Sequence, residues 1–239
     1  MISVIIPTLW KSSELGEMLP ILEKNNFIRE ILIIDNAPKD RHIDIPESKK
    51  IKILQQDTNI FVNPAWNLGV EKAKYDKLCI MSDDIKFDER VFEFVYEHIT
   101  EDNGVIGPNG KGIKNFYVRS LAMEINPANN IQHWDGFGTL MFIHKKNYLP
   151  IPKDFLIYWG DAWLYDFNAV QGRQNYTLDK FCIKTTMRTT SGMFTEITDK
   201  ELEVYDKVFD KMYKKYKNTE NYLSSPMANS IHELIIQSL

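Results

Sequence analysis

The feature that most constrains this chain is a series of short, almost continuously apolar runs separated by segments of helical periodicity. The first four runs are Ile2 to Pro7, Glu30 to Ile34, Ile51 to Leu54 and Lys77 to Met81. Strands that are apolar along their whole length are typical of parallel sheets, because helices then cover both faces of the strand. We therefore expect an α/β fold with a mixed, mostly parallel sheet flanked by helices.

Helical segments alternate with these runs. Amphipathic patterns predict helices from about Ser12 to Asn25, from about Pro64 to Lys74 and from Glu89 to Ile99. A further short strand is predicted from Gly104 to Pro108. The first part of the chain is thus an alternating array of strands and helices.

The character of the sequence changes beyond about Lys111, where aromatic residues and irregular polar stretches become frequent. Candidate strands there are Phe137 to His144 and Phe181 to Thr186. Thr198 to Glu201 has the spacing of a capping box, which predicts that a last helix begins there. Apolar residues on one face of this helix follow at helical spacing, namely Leu202, Tyr205, Phe209, Met212, Tyr213 and Tyr216.

Composition limits the class of protein. The 239 residues are 44% hydrophobic and 26% charged, which suits a globular core and excludes a disordered chain. A formal charge of -4 excludes a global basic field for nucleic acid or anionic membrane. Cys79 and Cys182 lie in apolar runs and are expected to be buried thiols. Neither a basic leader nor a run of about 18 apolar residues is present, so we expect a cytoplasmic protein without a membrane span.

Polar side chains follow the predicted strands: Thr8 the first, Asp35 the second, Asn59 the third, and Asp83 and Asp84 the fourth. The carboxyl ends of parallel strands form the ligand crevice of an open sheet. Carboxylates gathered there repel one another unless a cation or a hydrogen-bonding ligand offsets their charge. No glycine-rich dinucleotide or P-loop motif is present to hold phosphates. We therefore expect Mn²⁺ or Mg²⁺ together with a phosphate-bearing ligand.

Four segments at these positions resemble the family 2 glycosyltransferases, which have the GT-A fold. They are Ile2 to Thr8, Ile33 to Asn36, Asn59 to Gly69 and Met81 to Ile85. Their order and spacing make the resemblance specific over the first part of the chain, and it is fragmentary beyond. The resemblance implies a metal-dependent enzyme that takes a sugar from a nucleoside diphosphate sugar, for which we expect a UDP-sugar.

The resemblance also implies roles for single residues. Thr8 would meet the nucleoside, Asp35 would accept a hydrogen bond from the base, and Asn67 would help to shape the nucleotide pocket. Ser82 to Asp84 falls at the acidic motif of the family, with serine at its first acidic position. Asp84 is then the favoured metal ligand and Asp83 the ribose or outer contact, although a register slip of one residue would exchange them.

The second half resembles the family only in part. Tyr158 to Leu164 corresponds to a stretch whose last acid serves as base, which implies that Asp161 is the base of an inverting transfer. The glutamate that usually precedes this acid is absent, and no histidine follows between Ile183 and Gly192 to complete a metal site.

These expectations divide one domain, 1–239, into three parts. Residues 1–110 would bind the nucleotide sugar, 111–197 would face the acceptor, and 198–239 would form a C-terminal helical segment. The acceptor stays open between a glycan, a lipid-linked intermediate, a protein and modified DNA.

Simpler structural roles compete with the functional ones. Asp35 has the setting of an Asx turn, Asp161 that of a helix cap, and Trp159 and Trp163 are either core residues or acceptor contacts. His133 to Asp135 is another candidate polar site, with Asp135 the second choice for the base. Alternative functions are a non-catalytic sugar- or nucleotide-binding module and a sugar-nucleotide pyrophosphorylase, whose glycine-rich loop is missing after Ile6.

Overall fold

The computed structural model describes residues 1–120, 122–128, 136–185 and 194–216. Its strands are β1 (Ile2–Thr8), β2 (Ile28–Asp35), β3 (Ile51–Gln55), β4 (Lys77–Met81), β5 (Ile85–Phe87), β6 (Asn103–Pro108), β7 (Ile113–Lys114), β8 (Glu124–Pro127), β9 (Leu140–His144), β10 (Gln174–Asp179) and β11 (Ile183–Thr185). Its α-helices are α1 (Glu14–Lys24), α2 (Val62–Lys72), α3 (Val91–Val95), α4 (Gly160–Val170) and α5 (Thr195–Tyr216).

Eight strands form the central sheet in the order β3-β2-β1-β4-β9-β6-β10-β8. The strands from β3 to β4 pair in parallel, and β6 pairs in parallel with β10. Only β9 and β8 run antiparallel to their neighbours. The expected α/β fold with a mixed, mostly parallel sheet is therefore confirmed.

The side chains of each buried strand alternate between the two faces of the sheet, and this explains why the strand sequences are continuously apolar. In β1, Val4 and Ile6 belong to the core layer of α1 and α3, whereas Ile5 belongs to the layer of α2, α4 and α5. All three side chains are 0% exposed. Successive side chains of a strand point to opposite faces, so a sheet with helices on both faces requires apolar residues at every position.

A second sheet has the strand order β5-β11-β7. Along the chain, each of its strands follows a strand of the central sheet. Its strands are two or three residues long, too short for a recognisable alternation. The sequence predicted β11 within a longer strand and missed β5 and β7, as it missed β8 and β10 of the main sheet. These short strands exist because of their pairing partners rather than because of a local pattern.

Several predicted boundaries were wrong. The predicted helix from Glu89 to Ile99 is α3 followed by a short 3-10 turn, and β9 begins at Leu140 after a 3-10 turn. Helix α5 begins at Thr195, before the predicted capping box, so Thr198 lies in its first turns and donates to the carbonyl of Phe194 at 3.4 Å. Of the predicted apolar face, Tyr205, Phe209 and Met212 are buried and Tyr213 and Tyr216 pack against the core, whereas Leu202 is only half-buried and does not belong to that core.

The two cysteine thiols differ in burial. Cys79 in β4 is 0% exposed, and burial raises its pKa, as expected of a core cysteine. Cys182 is only half-buried, so the expectation of a buried thiol was wrong there. In the ranges that the structure describes, no helix has both the length and the apolarity needed to cross a membrane.

Candidate active site

A cavity of about 390 Å³ lies at the carboxyl ends of β1 and β4. Thr8, Asp83, Asp84 and Asp161 all line it, so the fold brings together four of the six predicted site residues. The order of the sheet explains part of this grouping, because β1 and β4 are neighbours and their ends share one edge. Asp161 comes from the start of α4, on the other side of β9.

Thr8 and Asp83 join the ends of the first and fourth strands. The Thr8 hydroxyl donates to Asp83 Oδ2 at 2.5 Å and accepts the backbone N–H of Trp10 at 2.9 Å. The pKa of Asp83 is raised to about 6, chiefly by burial and also by the adjacent Asp84 carboxylate, while the Thr8 hydrogen bond opposes the shift. Asp83 is therefore a carboxyl group whose negative charge is poorly compensated by the protein alone.

Asp84 is tied to the small sheet. The Thr185 hydroxyl, on β11, donates to Asp84 Oδ2 at 3.4 Å, and both residues line the cavity. Asp83 and Asp84 supply hard carboxylate oxygens, which suit Mg²⁺ or Mn²⁺ when phosphates and water complete the coordination. Among the described residues no three His, Cys, Asp or Glu side chains form a complete metal cluster. The donor set thus fits a cation that shares its coordination with a bound diphosphate.

Asp161 lies in the first turn of α4 and is held by backbone groups. Its Oδ2 accepts the N–H of Gly138 at 3.0 Å and its Oδ1 accepts the N–H of Ala162 at 2.9 Å. A Cβ at Gly138 would approach Asp161 Oδ2 to 3.1 Å, so glycine permits this close contact. Asp161 is not the helix cap, a position that Trp159 occupies.

Aromatic residues form much of the remaining cavity wall, and two of them have unusual backbone conformations. Phe61, which precedes α2, has φ +66°, and Trp159, which precedes α4, has φ +67°. A positive φ is strained for a bulky residue and persists only where the surroundings enforce it. The Phe61 ring packs edge-on against Phe194, with centroids 5.5 Å apart. The sequence marked Trp159 as a candidate but missed Phe61, because strain at a non-glycine residue leaves no sequence signal.

Asp35 lies behind the cavity wall rather than in it. Its Oδ1 accepts the indole N–H of Trp10 at 2.7 Å and the N–H of Ala37 at 3.2 Å, and its Oδ2 accepts from Arg41 at 2.5 Å. Asp35 is 0% exposed, and the neighbouring Asn36 lines the cavity instead. A nucleotide base could reach Asp35 only if Trp10 or Arg41 moved, so the predicted base contact does not follow from this arrangement.

Asn67 also departs from its predicted place. Its Nδ2 donates to the carbonyl of Ile151 at 2.8 Å, while its Oδ1 accepts from the Tyr148 hydroxyl at 2.8 Å and from the N–H of Ile151 at 2.9 Å. The side chain ties α2 to the segment after β9 and does not line the cavity. Asn67 therefore affects the shape of the cavity only through the position of α2.

The other candidates have separate outcomes. Trp159 lines the cavity, whereas Trp163 is 6% exposed and packs edge-on against Phe209 in the core, with centroids 5.5 Å apart. His133 to Asp135 and most of the stretch between Ile183 and Gly192 lie outside the described residues.

Comparison with known proteins decides the family. The sequence profile of glycosyl transferase family 2 matches residues 3–173. The chain belongs to this family. The resemblance seen in the first part of the sequence is thereby confirmed and extends through α4 to residue 173. No curated protein matches the chain.

Solved glycosyltransferase structures share the fold. TarS 1-349 from S. aureus is 16% identical, with a TM-score of 0.55 over 76% of this chain and 59% of that chain. TarS has also been solved with UDP and with UDP-GlcNAc. GalNAc-T7 with UDP, GalNAc and Mn²⁺ is 12% identical, with a TM-score of 0.57 over 89% of this chain and 50% of that chain. The chain spans about half to three-fifths of these proteins, and at such identities the likeness concerns the fold.

Proposed function

We propose that this protein transfers a sugar from a UDP-sugar to an acceptor hydroxyl, with a divalent cation and with inversion at the anomeric carbon. One observation carries the proposal. Asp83 and Asp84, at the end of β4, line the same cavity as Asp161, at the start of α4. The family match and the UDP complexes of TarS and GalNAc-T7 support a nucleotide sugar as donor.

The donor half of the cavity has the chemistry that a diphosphate requires. Asp84 would hold Mn²⁺ or Mg²⁺, and Asp83 would contact the ribose or complete the metal shell with the oxygen that Thr8 does not occupy. When bound, the cation neutralises the diphosphate leaving group. Asn36 and Asn59 add amide groups to the same wall, which suits the polar edges of a nucleotide.

Asp161 is the residue that we assign as general base. A carboxylate oxygen has two lone-pair directions, so Asp161 can accept more hydrogen bonds than the two it receives from Gly138 and Ala162. The bonds from Gly138 and Ala162 fix the orientation of the carboxylate. Asp161 would take the proton of the acceptor hydroxyl as that oxygen attacks the anomeric carbon and the diphosphate leaves.

Sugar rings have apolar C–H faces, and aromatic side chains are the usual surfaces on which they pack. Trp159 and Phe61 line the cavity on the side of α4 and α2. We assign them to the sugar that is transferred or to the acceptor, whose identity stays open between a glycan, a lipid-linked intermediate, a protein and modified DNA.

A binding and turnover experiment tests the proposal. Thermal unfolding is followed with UDP, UDP-glucose, UDP-galactose and UDP-GlcNAc, each with and without Mn²⁺, and UDP release from each sugar nucleotide is then measured. We expect metal-dependent stabilisation by UDP and slow release of UDP by transfer to water. Binding without any release, also in the presence of glycan and lipid acceptors, would favour a non-catalytic nucleotide-binding module.

A further inference from the structure

The segment 156–158, which leads into the cavity wall, is held by a buried acid from the last helix. Both carboxylate oxygens of Glu201 accept its backbone N–H groups: Oε1 accepts from Leu156 at 2.6 Å and from Ile157 at 2.8 Å, and Oε2 accepts from Tyr158 at 2.9 Å. Glu201 is 2% exposed. One side chain of α5 thus satisfies three consecutive donors of a loop more than forty residues earlier in the chain.

Two carbonyl groups of the same segment are held by α2. The Asn63 side chain donates to the carbonyl of Tyr158 at 2.7 Å, and its backbone N–H donates to the carbonyl of Leu156 at 2.9 Å. Asn63 is 0% exposed. The segment is therefore clamped between Glu201, which binds its three N–H groups, and Asn63, which binds the carbonyls of Leu156 and Tyr158.

This clamp determines where the next residues lie. Trp159 adopts a left-handed conformation, and Gly160 then begins α4 so close to Asn63 that a Cβ there would lie 2.1 Å from Asn63 Oδ1. Asp161 follows one residue later. The strain at Trp159 needs a rigid preceding segment, because a free loop would relax to an ordinary conformation.

We propose that Glu201 is a positioning residue, which holds Leu156 to Tyr158 so that Trp159 and Asp161 face the cavity in the geometry needed for transfer. This inference rests on the proposed function. Glu201 lies outside the family match, which ends at residue 173, so the clamp adds a component from α5 to the site. A glutamine would replace it only in part, since its NH₂ group would face at least one backbone N–H that needs an acceptor.

The test compares Glu201→Gln with Glu203→Gln, a control at an exposed position of the same helix. Amide hydrogen exchange reports on the segment directly, calorimetry with UDP and Mn²⁺ reports on donor binding, and UDP release from UDP-GlcNAc or another accepted sugar nucleotide reports on turnover. For Glu201→Gln we expect faster exchange at residues 156–158, UDP affinity within about twofold of wild type, and a fall in kcat of about 10- to 100-fold, as small misplacements of reacting groups can cause. Glu203→Gln should match wild type.

Unchanged exchange at 156–158, or unchanged kcat despite faster exchange, would overturn the proposal. A wild-type protein that neither binds UDP nor releases it would instead contradict the proposed function, and the exchange pattern would still decide whether Glu201 holds the segment. If Glu201→Gln fails to fold, Asn63→Ser replaces it. That variant removes the side-chain bond of the clamp to the Tyr158 carbonyl and must show faster exchange in the same segment and the same selective loss of kcat.

Discussion

The Thr8 hydroxyl donates a 2.5 Å hydrogen bond to Asp83, although the two residues are 75 positions apart in the chain. Their strands, β1 and β4, are parallel neighbours, so both residues leave the same edge of the sheet. The bond occupies one oxygen of Asp83 and directs this carboxyl group beside Asp84. This contact joins the ends of β1 and β4 on one side of the cavity.

Removal of the Asp84 charge should abolish metal-dependent nucleotide binding. At a ligand concentration of about 100 times Kd, UDP with Mn²⁺ should stabilise the wild type by about 2.7 kcal/mol. Asp84→Asn should lose this gain and keep the stability of the unliganded protein, because Asp84 lies at the cavity and not in the core. Thermal unfolding with and without UDP and Mn²⁺ measures both. Asp57→Asn, at an exposed position, is the control, and equal ligand stabilisation of Asp84→Asn and wild type would refute the assignment.

Asp161→Asn should separate binding from chemistry. The amide keeps the shape of the side chain but cannot accept the proton of a hydroxyl, so turnover should fall by about 10² to 10⁴. Calorimetry should show unchanged affinity for UDP with Mn²⁺. Asp154→Asn provides an exposed control in the preceding loop. Near-normal turnover of Asp161→Asn would leave the residue a structural contact between α4 and Gly138, and loss of UDP binding would place it in the metal shell.

The last helix should contribute strongly to stability through Phe209. Its side chain is 2% exposed and packs on Tyr205 at a centroid distance of 4.3 Å, with Trp163 and Phe155 also in contact. Phe209→Ala should lower the free energy of unfolding by about 3–5 kcal/mol, through lost burial and the cavity left behind. Urea denaturation measures this change, with the exposed Lys207→Ala as the reference. A loss below about 1 kcal/mol would mean that α5 is peripheral.

Asp166 should make the protein less stable as the pH rises towards neutrality. Burial raises its pKa to about 7, well above the value of about 3.9 for an unfolded chain, and the Tyr213 hydroxyl partly opposes the shift. The folded state therefore binds the proton more tightly. The stabilisation is fully present below about pH 4 and is lost as the pH rises through 7.

The measurement is the free energy of unfolding between pH 4 and 8 for wild type and Asp166→Asn. One group contributes a slope of at most about 1.4 kcal/mol per pH unit. The difference between the two proteins isolates Asp166 from other titrating groups such as Asp83 and Glu201. Parallel curves for the two proteins would show that Asp166 does not titrate in this range.

Local pattern was sufficient for the first four strands of the central sheet. Strands β1, β2, β3 and β4 were predicted because buried parallel strands are apolar at every position, and this signal lies within a few consecutive residues. The polar residues after them were predicted as a site for the same reason, since the carboxyl ends of parallel strands must share an edge. Thr8, Asp83 and Asp84 accordingly line one cavity.

The tertiary structure decided which polar residues face the cavity and which support it. Asp35 and Asn67 belong to the same motifs, but their carboxylate and amide atoms are taken up by Trp10, Arg41 and Ile151, contacts that depend on how loops and helices pack. Glu201 reads as part of a capping box in the sequence, whereas in the fold it holds a loop of the site. Such roles depend on burial and on partners far away in the chain, and a sequence pattern carries information only about neighbours along it.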